Sequence, residues 1–121
     1  MMFGKKRTPE EDVMSLMLGD RLIFAASEAY KLLRTNLTFA LPDEQRCRVV
    51  GITSASRGEG KSTTSINLAY TIAETGKRVL LVEADMRRPN LARRLAIDPA
   101  PGLSNLLAGL CREGDVIQDV G

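Results

Sequence analysis

The chain predicts an α/β fold, a parallel sheet between layers of helix, and three observations carry that prediction. The run Val49, Val50, Gly51, Ile52 offers no charge or hydrogen-bonding side chain. A glycine-rich loop, TSASRGEGKST at residues 53–63, follows it directly. A helix-like segment from Thr64 to Glu74, closed by Gly76, then leads through Lys77 to a second apolar run from Val79 to Val82. Strand, loop, helix and strand make one βαβ unit. Continuous rather than alternating apolar runs are what parallel strands covered on both faces require, and the crossover between them is expected to be right-handed.

Taken in order, residues 1–20 mix charges with Met14, Leu16, Met17 and Leu18 without a sustained period and read as a loosely ordered arm or a short helix. Residues 21–121 read as the amino-terminal part of one domain. Between Leu22 and Leu41, Ala26, Tyr30, Leu33, Leu37 and Leu41 recur at helical intervals until Pro42 stops the run, which predicts an amphipathic helix. Glu28, Lys31 and Arg34 fall three apart and align as a charged stripe on another face. After the βαβ unit, a short basic helix is expected from Asn90 to Ala96 and a proline-rich turn from Asp98 to Pro101. Another short helix is expected from Gly102 to Gly109. From Cys111 to Gly121 no third buried strand is evident, so the sheet is expected to stop at two.

Composition removes several function classes. With 17 basic against 15 acidic residues the net charge is +2, and aromatic residues make up 4%, so neither DNA nor RNA is indicated as a partner. No apolar run approaches the roughly 20 residues of a membrane-spanning helix, and the amino terminus has no apolar core suited to a signal peptide, which points to the cytosol. Cys47 and Cys111 lack any paired spacing and the chain has no histidine, so they are expected to be free thiols, with no zinc site and no histidine-based triad.

The loop has a definite chemistry. Gly58 and Gly60 let successive backbone N–H groups turn inward on phosphate oxygens, and the helix that opens near Ser62 points its positive end at them. Ser56, Arg57, Gly58, Glu59, Gly60, Lys61, Ser62 and Thr63 are therefore the candidate nucleotide-binding residues. Lys61 supplies a mobile charge for the outer phosphates, and the Ser62 hydroxyl is placed to ligate magnesium. One departure from the common pattern is Ala55, where a first glycine is usual.

A second group follows the second apolar run, in VLLVEADMRRPNL. Glu83 and Asp85 are expected at the carboxyl end of a strand beside the phosphate-loop strand, the edge where open α/β sheets bind ligands. Carboxylates there can serve a magnesium shell or a nucleophile's hydroxyl. They can equally cap the following turn or helix, and both readings stand at this point. Arg87 and Arg88 can pair with these carboxylates or with phosphates, or can simply be solvated.

With these residues in hand, the chain resembles the bacterial tyrosine kinases that regulate capsule and exopolysaccharide synthesis. Their phosphate loop reads threonine, serine, two variable residues, proline, then GEGKS, and residues 53–63 follow it with Arg57 in place of the proline. Their second motif, Asp-x-Asp-x-Arg after an apolar strand, is similar to Glu83, Asp85 and Arg87. The helix ahead of the sheet carries a Glu-Arg-Arg stripe like Glu28, Lys31 and Arg34, and PGLSNLLAG at 101–109 is also similar. The resemblance covers about residues 26 to 110.

It implies that Lys61 and Ser62 serve ATP and Mg2+. Arg87 would join the nucleotide site, and Glu83 or Asp85 would position the metal and activate a tyrosine hydroxyl. Lys61, Glu83 and Asp85 are thus the catalytic candidates, Ser62 and Asp85 the metal ligands, and Glu28, Lys31 and Arg34 a ring-forming subunit contact. A membrane-bound polysaccharide co-polymerase that activates the kinase is the implied partner, placing the chain in the cytoplasm at the membrane. Glutamate at 83 is one methylene longer than the family's aspartate, and Lys31 lacks arginine's fork.

The competing nucleotide-binding reading is the ATPase family that positions plasmids and division machinery, whose loop carries a second lysine where this chain has Ser56. A non-catalytic regulatory piece is the other alternative. It draws on the absence, between Leu91 and Gly121, of the kinases' third motif and tyrosine-rich tail; Tyr30 and Tyr70 both fall in expected helices. The chain is accordingly read as the first βαβ portion and preceding helix of a longer three-layer nucleotide-binding domain, with an open sheet edge, poor stability and no kinase activity expected of the piece by itself.

Overall fold

The computed structural model describes residues 19, 22–41 and 47–120. The expected arm of residues 1–20 lies, Gly19 apart, outside the described residues, as does Pro42. Those described separate into two compact units, residues 19–81 and residues 82–120.

The first unit is built on two helices. α1 spans Phe24–Ala40, a stretch with neither glycine nor proline, and ends where Leu41 turns to φ −90°, ψ 138° while its N–H still reaches the Leu37 carbonyl. α2 spans Lys61–Ala73 and starts abruptly from Gly60, whose φ of 82° no ordinary helical residue adopts. Gly76, at φ 80°, follows its last turn. α1 packs against α2. The face of α1 that turns inward carries Ala26, Tyr30, Leu37 and Leu41, as its period predicts, together with Ser27 and Arg34, whereas Leu33, which the same period includes, is 37% exposed. The buried residues of α2 are Ile66, Asn67, Leu68 and Thr71.

Two of them are polar, and both are satisfied. The Thr71 hydroxyl donates to the Asn67 carbonyl, and the Asn67 side-chain oxygen accepts the N–H of Gly19 at 2.8 Å. Gly19 has φ +59°, and a Cβ there would stand 3.3 Å from the Tyr70 ring, so both its backbone angle and its close approach favour glycine.

The second unit holds three short helices: α3 (Leu91–Leu95), α4 (Leu103–Leu107) and α5 (Glu113–Val116). α4 and α5 each close their first turn with a side chain that reaches back. Asn105 accepts from the Gly102 N–H and Asp115 from the Arg112 N–H, both at 2.9 Å. α5 was not expected from sequence, although Asp115 three residues after Arg112 is the signal that could have found it.

The parallel sheet is the main difference from expectation. Residues 48–53 and 77–85 carry neither helix nor strand ladder, and no strand occurs among the described residues. The βαβ unit is therefore absent as a paired structure. Val49 is 88% exposed and Leu80 65%, so the apolar runs are uncovered on the faces that a sheet would bury. The physical reason is that a strand exists only through its partner's hydrogen bonds. Two strands alone are marginal, and about three or more with a covered face are needed for independent stability.

Candidate nucleotide-binding site

In the first unit the loop of residues 55–60 is a run of bends and turns on the surface, leading straight into α2. Gly58 and Gly60 both sit at positive φ, 73° and 82°. A Cβ at either would meet nothing within 4 Å, so glycine is required there by the backbone and not by crowding. The first N–H groups of a helix have no intrahelical acceptor, and Gly60 offers α2 no side-chain cap. What α2 presents at Lys61 and Ser62 is thus the positive end of a thirteen-residue helix.

The loop is braced from within. The Ser54 hydroxyl donates to the Ser56 carbonyl at 2.8 Å, and the Ser56 hydroxyl donates to Glu59 Oε1 at 2.6 Å. That bond, with the Ser56 and Ala55 N–H groups and the charge of Lys61 behind it, holds the Glu59 carboxyl below its ordinary 4.5. Ser56, Arg57, Gly58, Glu59 and Gly60 are exposed, while Lys61, Ser62 and Thr63 are half-buried.

The charged stripe on α1 divides its work. Lys31 pairs with Glu28 at 3.1 Å on the exposed surface. Arg34 instead donates to the Thr71 carbonyl near the end of α2 at 2.6 Å. The stripe thus includes a bond internal to the unit, which charge spacing alone did not reveal.

In the second unit, the two expected carboxylates behave differently. Glu83 is half-buried, and its Oε2 accepts the N–H groups of Asn90 and Leu91 at 3.0 and 2.9 Å, closing the start of α3. Of the two readings open at the sequence level, capping therefore accounts for this oxygen. Asp85 is exposed; its Oδ1 accepts the Arg88 N–H at 3.1 Å across a tight turn. Arg87 is exposed, and among the described residues no ion pair joins it or Arg88 to a carboxylate. Both carboxylates line a cavity of about 220 Å³ whose walls include Met86, Pro89, Arg93, Leu103 and Ser104. Sequence reasoning did not join Leu103 and Ser104 to the carboxylates because they come from a segment apart in the chain, whereas Met86, Pro89 and Arg93 follow the carboxylates directly.

Among the described residues no group of three carboxylate, cysteine or histidine side chains is arranged to hold a metal ion, and both cysteines are free thiols. No helix among them is long and apolar enough to cross a membrane.

A glycine loop at positive φ running into an uncapped helix is the architecture of a phosphate-binding nucleotide domain, and comparison with known families agrees. Residues 50–121 match the CobQ/CobB/MinD/ParA nucleotide binding domain, and the chain belongs to that family. Curated proteins it is similar to include bacterial tyrosine-protein kinases. It is 47% identical over 81 residues to the tyrosine-protein kinase YwqD of Bacillus subtilis, covering 67% of this chain and 34% of that protein. It is 37% identical over 91 residues to the tyrosine-protein kinase CpsD of Streptococcus agalactiae, covering 74% and 38%. To the tyrosine-protein kinase wzc of Salmonella typhi it is 42% identical over 84 residues, covering 69% and 12%. The chain thus spans about a third of the first two relatives and far less of the third. No solved structure matches it.

Proposed function

We propose that this chain is the ATP-binding portion of an autophosphorylating protein-tyrosine kinase that regulates capsular or exopolysaccharide synthesis. The observation that carries the reading is the pair of positive-φ glycines, Gly58 and Gly60, opening directly into the uncapped first turn of α2. That geometry suits the phosphates of a nucleotide, and the relatives' names supply the reaction class.

In this reading the backbone from Ser56 to Thr63 cradles the phosphates, Lys61 neutralises the outer ones, and Arg87 adds a second cation. By the family resemblance, Ser62 and Asp85 would be the residues that hold magnesium. Ser62 and Asp85 offer hard oxygens, and Mg2+ is usually held by about one or two protein groups plus phosphates, so a protein-only cage is not needed. When bound, the ion supplies charge neutralisation on the phosphates.

Asp85, whose Oδ1 accepts the Arg88 N–H, is the catalytic carboxylate in addition to its metal role. The proton of the tyrosine hydroxyl passes to Asp85, and the phenolic oxygen forms a bond to the γ-phosphorus. The bond from that phosphorus to the β–γ bridging oxygen breaks, and ADP leaves. Glu83 serves as a positioning residue that holds both ends of the 83–91 segment together. The exposed Glu28–Lys31 pair is the part of the α1 stripe available to a neighbouring subunit in a ring. A membrane-bound co-polymerase acts as activator, keeping the protein in the cytoplasm at the membrane.

The test is incubation of the protein, as expressed from its gene, with labelled ATP and magnesium. Phosphate should appear on tyrosine, and Lys61→Met should abolish it. Steady ATP hydrolysis with no phosphotyrosine would replace this reading with that of a partition-type ATPase.

A further inference from the structure

We infer that the Glu59 carboxylate is an internal phosphate surrogate: by taking the Ser56 hydroxyl it latches the loop on itself, and an incoming nucleotide must displace it. The inference rests on the nucleotide-binding reading of residues 56–63 and adds to it a competitor that the loop itself carries.

Glu59 is the only acidic residue between Thr53 and Thr63, and it stands between the two glycines of positive φ. It is exposed, so nothing in the packing forces its side chain back onto the loop. The carboxylate nevertheless folds back across Gly58 and accepts the Ser56 hydroxyl at 2.6 Å. That length lies in the roughly 2.5–2.7 Å range of a hydroxyl bonded to an anion.

The partners are those a phosphate would use. Beside the Ser56 hydroxyl, the N–H groups of Ser56 and Ala55 and the charge of Lys61 all favour the ionised carboxyl, which is held below its ordinary 4.5 and is an anion at neutral pH. A hydroxyl, backbone N–H groups and an ammonium are also the groups with which a glycine-rich loop takes phosphate oxygens. Ser56 and Lys61 both belong to the set read as nucleotide-binding. A Ser56 hydroxyl proton given to Glu59 is not free for a phosphate, and the two anions repel one another. The Ser54 hydroxyl on the Ser56 carbonyl, at 2.8 Å, is by contrast a neutral brace that no phosphate opposes.

Charge makes the latch distinguishable from a brace. If the Ser56–Glu59 bond only held the loop in its binding conformation, removing it would weaken nucleotide binding. A latch that competes with the phosphates gives the opposite sign, and one closed about nine-tenths of the time lowers apparent affinity about tenfold.

The experiment measures the affinity of a fluorescent ATP analogue, with magnesium, for the protein as expressed from its gene. It compares the unaltered protein with Glu59→Gln, Ser56→Ala and the double variant. Glu59→Gln keeps the shape of the side chain, removes its charge and should bind the analogue about tenfold tighter. In the Ser56→Ala background the latch is already broken, so the same change should gain only about two- to threefold, the share left to simple repulsion.

Unchanged or weaker binding by Glu59→Gln would make the bond a brace and overturn the inference. An equal gain with and without the Ser56 hydroxyl would leave only charge repulsion and overturn it too. Both results leave the nucleotide reading standing, whereas no binding of the analogue by any of the four proteins would remove that reading and the latch together.

Discussion

The carboxylate of Glu83 accepts the N–H of Leu91 at 2.9 Å, eight residues further on, and the same oxygen takes the Asn90 N–H. One side chain thus closes the segment that carries Asp85 and starts α3. Hydrogen bonds to a charged group contribute about 1.5–3 kcal/mol, and a buried donor left without a partner costs about 1–3 kcal/mol. Glu83→Ala should therefore unlatch α3, read as faster hydrogen exchange at the Asn90 and Leu91 amides. Glu83→Gln keeps a carbonyl acceptor without the charge and should exchange at a rate between the other two. Equal exchange in all three proteins would show that the carboxylate does not hold this turn.

Gly60→Ala tests the loop backbone. Because a Cβ at Gly60 would meet no atom within 4 Å, the cost should be conformational, about 1–2 kcal/mol for a non-glycine residue at φ 82°. The expected outcome is roughly tenfold weaker binding of a fluorescent ATP analogue with the helix content of α2 retained. Unchanged affinity would mean that the loop binds nucleotide in another conformation.

Glu59 provides a pH signature. The Ser56 hydroxyl holds its carboxyl below 4.5, so the folded-state value is the lower one. The linked stability is complete above the unfolded value and is lost as pH falls from 4.5 through the folded value. Ser56→Ala removes the largest cause, and a carbon-detected NMR titration of the Glu59 carboxyl should then move upward toward 4.5. No upward movement would place the cause elsewhere in the loop.

Arg34 and Lys31 should behave unequally despite sharing a stripe. Arg34 donates to the Thr71 carbonyl at 2.6 Å and ties α1 to α2, so Arg34→Met should lower stability by about 1.5–3 kcal/mol. Lys31→Met breaks only an exposed pair, an interaction with a typical contribution of about 0–1 kcal/mol. Urea unfolding should give a lower midpoint for the first with unchanged slope, and almost no shift for the second.

The helices were legible because their signals are local. The expected helix from Leu22 to Leu41 is found at Phe24–Ala40, and the one opening near Ser62 is found at Lys61–Ala73. The expected helices from Asn90 to Ala96 and from Gly102 to Gly109 appear as Leu91–Leu95 and Leu103–Leu107. In each case period, glycine and proline operate within a few residues of one another. The loop's glycines were legible for the same reason, since positive φ at Gly58 and Gly60 is a property of the chain at that point.

The sheet was not legible in this way. Apolar runs at 49–52 and 79–82 express a tendency to be buried, but pairing needs a second backbone in register, and none is paired among the described residues. By itself, then, the sequence determined four of the five helices among the described residues, the phosphate loop and the family. Tertiary structure decided the partners of the charged side chains: Glu83 on the α3 amides, Arg34 on Thr71, and Asp85 on the turn beside a cavity. Residue type and spacing limit which hydrogen bonds a charged group can make, while the nearest unsatisfied partner in space selects the one that forms.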